Sequence, residues 1–287
     1  MGFINYLPSI PSWVGAMHRF LVLHFGGQCP WHLWAIEQVR EAADRVGGSV
    51  EVVDVMDKPE MAERYRLFFP FMTIIDDTIR LPSPTVAGEL VKIVGEGATT
   101  KPTVPQPLGP EARAGRIELL TAGNIGDTCP LCVPDSEARG CQAKRFWAAR
   151  IEGQVPEGIL GFISYEGGRA VGVVEYLPSP LVPYPLPEKD PTIAFITCIY
   201  SPSNGLGTDQ GEGPDYRGQV LDRLLEDLPG QGYKKLQVIA GRRTPYPNGP
   251  VPFFLERGFR ELGELDRVIL KIGEEEIVLM ELDLAKC

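Results

Sequence analysis

The sequence predicts an α/β protein in which helices cover both faces of mixed β-sheets. The prediction rests first on residues 192–240, where two apolar, β-branched runs, TIAFITCIY and KKLQVIA, flank the segment YRGQVLDRLLEDL. Such runs are typical of strands that are buried on both faces. The middle segment places leucines at i, i+3, i+4 and i+7, on one face of a helix: Leu221, Leu224, Leu225 and Leu228. The second observation is an alternation of predicted strands and helices over residues 18–100.

Length and composition exclude several classes of protein. With 287 residues, the chain is long enough for two domains that each have a core. Its formal charge of −10 argues against a nucleic-acid-binding protein, which needs clustered Lys and Arg for its phosphate contacts. No run of about 18 apolar residues is present, so no membrane-spanning helix is expected. The expected partner is therefore a small-molecule substrate.

Residues 1–17 are predicted to form an arm that lies on the folded body or on a neighbouring subunit, as in a homodimer. This stretch is apolar, but it lacks a basic start and is interrupted by Pro8 and Pro11, so it does not resemble a secretory signal. The expected location is the cytoplasm. Six cysteines in such a chain indicate thiol or metal chemistry rather than structural disulfides.

The first half of the chain, residues 18–100, is predicted to fold in the order β-α-β-α-β-β-α, which resembles the thioredoxin fold. Its most specific segment is GGQCPWH, where Cys29 lies between the first strand and its helix and Pro30 takes the first helical position. A thiol at a helix N-terminus is expected to have a lowered pKa and to be a stronger nucleophile.

The resemblance to thioredoxins is incomplete. His32 stands where the family has its second cysteine, and Met72 precedes Thr73 where the family has a proline. Dithiol oxidoreductase activity is therefore not expected. Two alternatives remain: one-thiol chemistry at Cys29, or a domain kept for docking in which Cys29 is a relic. His32 and the neighbouring tryptophans are predicted to be packing residues.

A proline-rich segment separates this half from the next. Residues 101–114 are predicted to be a semi-rigid linker, because the stretch around them carries four prolines and no apolar periodicity. A cysteine cluster follows, in which Cys129 and Cys132 form a CxxC and Cys141 lies nine residues later. Such thiolates could hold zinc or iron, with Cys198 as a possible further ligand. Reactive thiols, or cysteines with neither role, are equally open alternatives.

The second half, residues 115–287, continues with a hairpin that turns at Gly167 and Gly168 and ends with a hairpin predicted to turn at Gly273 and Glu274. Over residues 115–284 the order and motifs resemble the GNAT acetyltransferase superfamily. GRAVGVVEY looks like its second and third strands, ITCIYSP its fourth strand, and FFLERGF its late FYxxxGF signature. The CxxC, the VEYLP segment and a GC-x-x-K-x-x-W motif resemble the YoaP-like branch, which also contains a thioredoxin-like domain. The last motif consists of Gly140, Cys141, Lys144 and Trp147.

This resemblance implies acetyl-CoA as a cofactor. The backbone of the fourth strand, at Ile199 and Tyr200, would pair with the pantetheine arm. The turn that opens the next helix would bind the CoA pyrophosphate, and Asn248 is a further candidate contact. The turn residues are Arg217, Gly218, Gln219 and Val220.

The sequence departs from the family at that turn and at the expected acid. Val220 and Asp222 replace glycines that would admit phosphate close to the backbone, and Asp222 adds a negative charge beside it. A glycine-rich insertion, residues 203–215, precedes the turn. Phe254 stands where family members often have a tyrosine that protonates the leaving thiolate, which would slow the chemistry without preventing it.

Two side chains are candidates for catalysis. Glu175 could deprotonate a substrate amine, or it could be a strand residue that faces solvent or pairs with an arginine. Cys198 could be a nucleophile, or simply a small buried residue. The favoured hypothesis is a GNAT-type N-acetyltransferase that moves an acyl group from acetyl-CoA, or another acyl-CoA, to an amine or thiol of a small molecule. The alternatives are a thiol- or metal-handling protein on a GNAT scaffold with a degenerate CoA-binding turn, and a binding module without catalysis.

Overall fold

The computed structural model describes residues 17–98, 101–133, 138–202 and 213–286. The predicted arm except its last residue, most of the glycine-rich insertion, and Cys287 lie outside these ranges. Within them, no helix is both long enough and apolar enough to cross a membrane.

The first half forms a four-stranded mixed sheet with the strand order β2-β1-β3-β4. Its elements are β1 (Arg19–His24), α1 (Trp31–Val46), β2 (Ser49–Asp54), α2 (Glu60–Arg64), β3 (Phe71–Ile75), β4 (Ile79–Leu81) and α3 (Ala87–Glu96). Strand β1 is parallel to β2 and antiparallel to β3. All seven predicted elements are present in the predicted order. Helix α1 ends at Gly47, whose φ of 68° is one that glycine adopts without strain.

The second half forms a seven-stranded mixed sheet with the order β10-β11-β9-β8-β7-β6-β5. Its elements are β5 (Arg116–Leu120), α4 (Cys129–Cys132), α5 (Ala138–Ile151), β6 (Gly161–Glu166), β7 (Arg169–Pro178), β8 (Ile193–Tyr200), α6 (Arg217–Asp227), β9 (Lys235–Gly241), α7 (Val251–Leu255), β10 (Arg260–Leu270) and β11 (Gly273–Asp283). Strands β8 and β9 are parallel, and the other neighbouring pairs are antiparallel. This sheet fits the GNAT-like domain that the sequence suggested.

The last hairpin differs from the prediction. Strand β10 begins at Arg260, and the chain turns at residues 271–272, so Gly273 is the first residue of β11 rather than part of the turn. A side chain at Gly273 would have its Cβ 2.5 Å from the carbonyl oxygen of Lys101. The glycine therefore serves the close approach of the proline-rich segment, which the local sequence does not reveal.

The two sheets share one hydrophobic core. At the end of β1, Phe25 packs edge-to-face on Trp147 of α5, with ring centroids 5.7 Å apart. Its ring also contacts Tyr184, which packs in turn on Phe195 of β8. All four belong to one buried apolar cluster that contains side chains of both halves. The linker at residues 101–114 therefore separates two sheets, which nevertheless have one apolar cluster in common.

Helices α1 and α5 approach closely where the halves meet. A Cβ at Gly140 would lie 2.0 Å from the carbonyl oxygen of Pro30, and a Cβ at Gly27 would lie 3.0 Å from the carbonyl oxygen of Ala143. Both contacts are with backbone, which cannot move aside as a flexible side chain would. Glycine at these positions allows the two helices to touch.

Replacing Gly140 by alanine is expected to lower the free energy of unfolding by about 1–3 kcal/mol, because the added methyl group forces these backbones apart. Urea unfolding of the full chain measures the change. Gly95→Ala in α3 is the matched control, since nothing lies within 4 Å of its Cβ position. An equal effect of the two substitutions would contradict the close contact.

Candidate functional site

The parallel strands β8 and β9 separate partway along their length. Their pairing runs from Ile193 with Lys235 to Ile196 with Val238. Strand β8 nevertheless continues to Tyr200, and β9 continues to Gly241. The edge of β8 that faces β9 is therefore unpaired beyond Ile196, and the sheet contains an opening at this point.

Asn248 fills part of this opening. Its Oδ1 accepts a hydrogen bond from the backbone N–H of Ile199 at 3.3 Å, and its Nδ2 donates one to the carbonyl oxygen of Ile239 at 3.0 Å. Asn248 is buried, with 5% of its surface exposed. The amide thus satisfies one backbone group on each strand where the strand pairing has ended. Two predicted cofactor residues, Ile199 and Asn248, do meet at the opening.

Next to the opening lies a buried ion pair. Glu175 of β7, opposite Cys198 of β8, is 1% exposed, and the ammonium of Lys144 from α5 contacts its carboxylate. Burial is the largest influence on the pKa of Lys144 and lowers it, but the neighbouring acidic groups, Glu175 first, together raise the pKa. Lys144 is thus an ammonium at neutral pH.

The first half of the chain completes this ion pair. From the connection between β1 and α1, Gln28 Nε2 donates to the second carboxylate oxygen of Glu175 at 3.2 Å and to the carbonyl oxygen of Thr197 at 3.3 Å. Both oxygens of the Glu175 carboxylate then have a hydrogen-bonding partner, which a buried carboxylate needs. A β-bulge between Glu175 and Tyr176 interrupts the ladder to β8 here, and such bulges redirect side chains.

Three thiols lie within electrostatic range of the ion pair. The charges of Lys144 and Glu175 influence the pKa values of Cys29, Cys132 and Cys198, and Cys198 is also paired with Glu175 across the strands. Cys29 and Cys132 come from different halves of the chain, and the indole N–H of Trp31 donates to the carbonyl oxygen of Cys132 at 2.9 Å. The site is therefore assembled from both sheets.

The lowered pKa expected for Cys29 is wrong. Although Cys29 keeps some exposed surface, burial of its thiol raises the pKa to about 11, and a backbone hydrogen bond and the Lys144 charge offset this only in part. Burial likewise raises the pKa values of Cys132 and Cys198. The position of Cys29 at a helix N-terminus predicted a lowered pKa and therefore a thiolate. In the folded chain, burial of the thiol raises the pKa instead.

His32 has the buried environment of the predicted packing residue. Its Nδ1–H donates to the carbonyl oxygen of Cys29 at 2.8 Å, and burial lowers its pKa to about 4. Tyr200, a predicted cofactor residue, lies near the thiols: burial first, and then the charges of Cys132 and Cys198, raise its pKa.

The predicted zinc or iron site is not supported. Over the described ranges, no three or more His, Cys, Asp or Glu side chains are arranged to hold a metal ion. Cys132 is influenced by the charges of Lys144, Cys29 and Glu175, and Cys129 forms a hydrogen bond with Cys141. Burial, followed by that hydrogen bond, raises the pKa of Cys129 to about 12.

The predicted phosphate turn at the start of α6 is occupied by groups of the chain itself. Arg217 is fully buried, and the carboxylate of Asp215 accepts hydrogen bonds from its backbone N–H and its Nε, both at 3.0 Å. A Cβ at Gly218 would lie 2.6 Å from a carboxylate oxygen of Glu111. Gln219 Oε1 accepts a hydrogen bond from the backbone N–H of Ala114 at 2.7 Å.

The remaining departures from the family pattern also have internal roles. Val220 and Phe254 are fully buried in the apolar cluster between α6, α7 and the second sheet. Asp222 faces Arg113, with an oxygen–nitrogen distance of 3.2 Å. Valine at position 220 thus contributes to packing, and the carboxylate at position 222 is paired with the proline-rich segment.

Three residues of this region were not predicted as site residues. Lys144 belongs to a motif noted in the sequence, and Gln28 is next to Cys29, but neither has a spacing that indicates a buried ion pair. Glu111 lies in the proline-rich segment, where no pattern relates it to α6. A deliberate search for isolated lysines on apolar helix faces would have found Lys144.

Comparisons with known proteins found similarity to solved structures. No protein-family model and no curated protein matches the chain. Among solved structures, an N-acetyltransferase from Staphylococcus aureus Mu50 is similar, with 16% identity and a TM-score of 0.41, covering 59% of this chain and 98% of the other. The ribosomal-protein-alanine N-acetyltransferase of Brucella melitensis has 16% identity and a TM-score of 0.39, covering 58% and 99%. An aminoglycoside 6'-N-acetyltransferase complexed with coenzyme A has 13% identity and a TM-score of 0.36, covering 59% and 97%.

These structural neighbours are GNAT N-acetyltransferases, and each corresponds to somewhat more than half of this chain. Similarities this weak say nothing about what the chain binds or transfers. Its function has to follow from its own residues.

Replacing Lys144 by methionine is expected to lower the free energy of unfolding by about 3–5 kcal/mol, because the Glu175 carboxylate would remain buried without its partner. The double variant Lys144→Met/Glu175→Gln is expected to regain most of this loss, since the new amide can still accept from Gln28. Urea unfolding provides the measurement. Arg45→Ala, which breaks an exposed pair with Glu41, is the control and should change stability by less than about 1 kcal/mol. A double variant as unstable as Lys144→Met would contradict the pairing.

Proposed function

We propose that the chain is a GNAT-type acyltransferase, which moves an acyl group from acetyl-CoA or another acyl-CoA to an amine or thiol of a small molecule. The supporting observation is the opening between β8 and β9. There the N–H of Ile199 donates to the side chain of Asn248, beyond the point where the pairing of β8 with β9 ends. In the family that the sequence resembles, the pantetheine arm of the cofactor pairs with this strand. An acyl-CoA that displaces Asn248 would find the backbone donor it needs.

The proposed reaction is direct attack of the acceptor on the thioester carbonyl. The acceptor nitrogen or sulfur forms a bond to the carbonyl carbon, the carbon–sulfur bond breaks, and the acceptor's proton is lost while the CoA thiolate leaves. Glu175 is the proposed proton acceptor, and it would have to leave Lys144 to act. Cys198, directly opposite Glu175, is the proposed alternative nucleophile for a covalent acyl intermediate. No acid is assigned, since a thiolate leaves adequately at neutral pH.

We further propose that the first half is a thioredoxin-like domain and that the chain belongs to the YoaP-like branch. Support for the first assignment comes from the strand order and from the position of Cys29 ahead of α1. Support for the second comes from the motif that contains Lys144 and Trp147, because both side chains are buried where the halves meet. The first half would then cover the side of the opening on which Glu175 lies, and it would limit which acceptors can enter.

If acyl-CoA uses the opening, Asn248→Ala is expected to bind acetyl-CoA up to about tenfold more tightly than the wild type, because the ligand no longer competes with the amide. Isothermal titration calorimetry of the full chain measures the affinity. Asn124→Ala is the matched control: Asn124 also bonds two backbone groups but lies at the end of β5. Equal affinities of Asn248→Ala and the wild type for acetyl-CoA would show that the ligand does not bind at the opening. If neither the wild type nor Asn248→Ala shows heat or a thermal shift with millimolar acetyl-CoA, acyl transfer is rejected.

A second function is favoured by a separate observation, the thiols around Lys144 and Glu175. In this alternative, Cys29 and Cys132 form a disulfide across the two halves by exchange with a small-molecule disulfide. One thiolate attacks the small disulfide and releases a thiol, and the second thiolate then attacks the mixed disulfide and releases another. Two protein thiols are oxidised, and one small disulfide is reduced to two thiols. Cys132 would supply the second cysteine that the CPWH segment lacks.

This alternative predicts a disulfide between Cys29 and Cys132 after incubation with oxidised glutathione, detected by peptide mapping. The rate should rise about tenfold per pH unit above neutral and level off near the Cys29 pKa of about 11, because the thiolate is the attacking species. Cys141→Ser is the control and should leave the product unchanged, whereas Cys29→Ser should abolish it. A pH-independent rate, or pairing of Cys132 with Cys129 instead, would reject the alternative.

A further inference from the structure

The proline-rich segment is bound along the surface of the second half. We call residues 101–115 the strap. Its beginning is held by backbone hydrogen bonds: Thr103 N–H donates to the carbonyl oxygen of Glu274 at 2.9 Å, and Glu274 N–H donates to that of Lys101 at 2.7 Å. Gln106 N–H donates to the carbonyl oxygen of Arg243 at 2.9 Å. The side chain of Thr103 is buried against the Glu275 carboxylate. This end of the strap is firmly anchored.

The other end of the strap lies across the start of α6. Asp215 N–H donates to the carbonyl oxygen of Pro110 at 2.8 Å, and Ala112 N–H donates to that of Asp215 at 2.9 Å. Ala114 N–H donates to the side chain of Gln219 at 2.7 Å. The strap therefore pairs with the residues that lead into the helix and with its first turn.

The Glu111 carboxylate lies over the N-terminus of this eleven-residue helix. One oxygen would be 2.6 Å from a Cβ at Gly218, and the other is 3.0 Å from the guanidinium of Arg257. Helix N-termini favour negative charge, and their free N–H groups bind anions such as phosphate. Glu111 thus takes the place of an anionic ligand at α6.

A second feature is an unpaired buried donor on the first residue of α6. Arg217 is fully buried, yet its Nη1 has no hydrogen-bond partner within the described residues. This atom would be 3.2 Å from a Cβ at Gly249, so a bare glycine leaves it space. A buried donor without an acceptor lowers the stability of the fold unless another group accepts its hydrogen bond. The strap supplies Glu111 to the helix, but nothing to Arg217 Nη1.

The strap also leaves room beneath it. A cavity of about 680 Å³ lies between Pro105–Gly109 of the strap, residues of α7, and the arginines that follow β9. Its lining residues include Phe253, Arg243 and Arg257, and also the carboxylates of Glu111, Asp215 and Glu256. The apolar ring suits a ligand with a flat apolar part, and lifting Glu111 would release Arg257 for a negatively charged part.

We propose that the strap is a built-in occupant of the acyl-CoA groove, and that the CoA diphosphate binds at α6 only after the Glu111 end of the strap has lifted. This inference rests on the proposed acyl-CoA function. A diphosphate and the Glu111 carboxylate cannot share the helix N-terminus, because they would overlap and their charges repel. The strap therefore lowers affinity for CoA until something displaces it.

The two ends of the strap differ in a way that favours lifting at one end. Glu111 is 53% exposed, and the pair between Arg113 and Asp222 is also exposed. Exposed ion pairs contribute little to stability. The beginning of the strap, in contrast, has the buried Thr103. Pro102, Pro105 and Pro107 stiffen the anchored part, so we expect residues 110–115 to lift while that part stays in place.

The test is calorimetric titration of coenzyme A into the full chain and three variants. Glu111→Ala removes the competing carboxylate and is expected to bind coenzyme A at least about tenfold more tightly than the wild type. Ala112→Pro removes the N–H that binds Asp215 without changing any charge, and it should act in the same direction. Glu226→Ala removes one exposed carboxylate from the far end of α6 and controls for net charge. It should bind like the wild type.

Hydrogen exchange of the Asp215 amide in every protein, and of the Ala112 amide wherever alanine is retained, separates the possible outcomes. Tighter binding of coenzyme A by both strap variants, with faster amide exchange, supports the proposal that the strap competes with coenzyme A. Equal binding of coenzyme A by all four proteins overturns this proposal and leaves the proposed function standing. No binding by any protein, despite faster exchange in Glu111→Ala, overturns the acyl-CoA function. No binding with unchanged exchange overturns the strap, because Glu111 would then not hold it in place.

Discussion

The contact between Lys144 and Glu175 is the interaction on which the architecture depends. Burying two charges costs several kcal/mol for each ion, and the cost is offset only if the charges meet and the remaining polar atoms are bonded. Here the ammonium comes from α5, the carboxylate from β7, and the amide that completes it, Gln28, from the first half of the chain. None of these segments can satisfy the site alone. The two halves therefore behave as one structure with a shared core, although their sheets are separate.

This arrangement also determines the chemistry of the thiols. Cys29 has the sequence context of a reactive cysteine, at the start of a helix and next to a proline. In the folded chain it faces a buried ion pair and other thiols, and burial raises its pKa. The same packing brings Cys132 from about a hundred residues away to the vicinity of Cys29. The two proposed chemistries, acyl transfer and thiol exchange, would therefore share one buried region.

The opening in the second sheet and the start of α6 have one feature in common. In both places backbone groups that a ligand could bind are hydrogen-bonded to side chains of the chain itself. Asn248 bonds the free backbone groups between β8 and β9, while Asp215 and Glu111 neutralise the helix N-terminus. A chain that satisfies its binding groups internally must exchange those contacts for a ligand, which weakens binding and allows control.

The sequence by itself determined the elements and their order, because apolar periodicity and turn residues are local signals. It predicted both sheets, the leucine face of α6, the end of α1 at Gly47, and the segments that meet at the opening. It misplaced the turn near Gly273, because the glycine is needed there for the close approach of the Lys101 backbone rather than for a turn. It gave the wrong direction for the Cys29 pKa, and it suggested a metal site that the described residues do not form. Only the tertiary structure decided these points, along with the roles of Gln28, Lys144 and Glu111, because burial and long-range pairing depend on residues far apart in the chain.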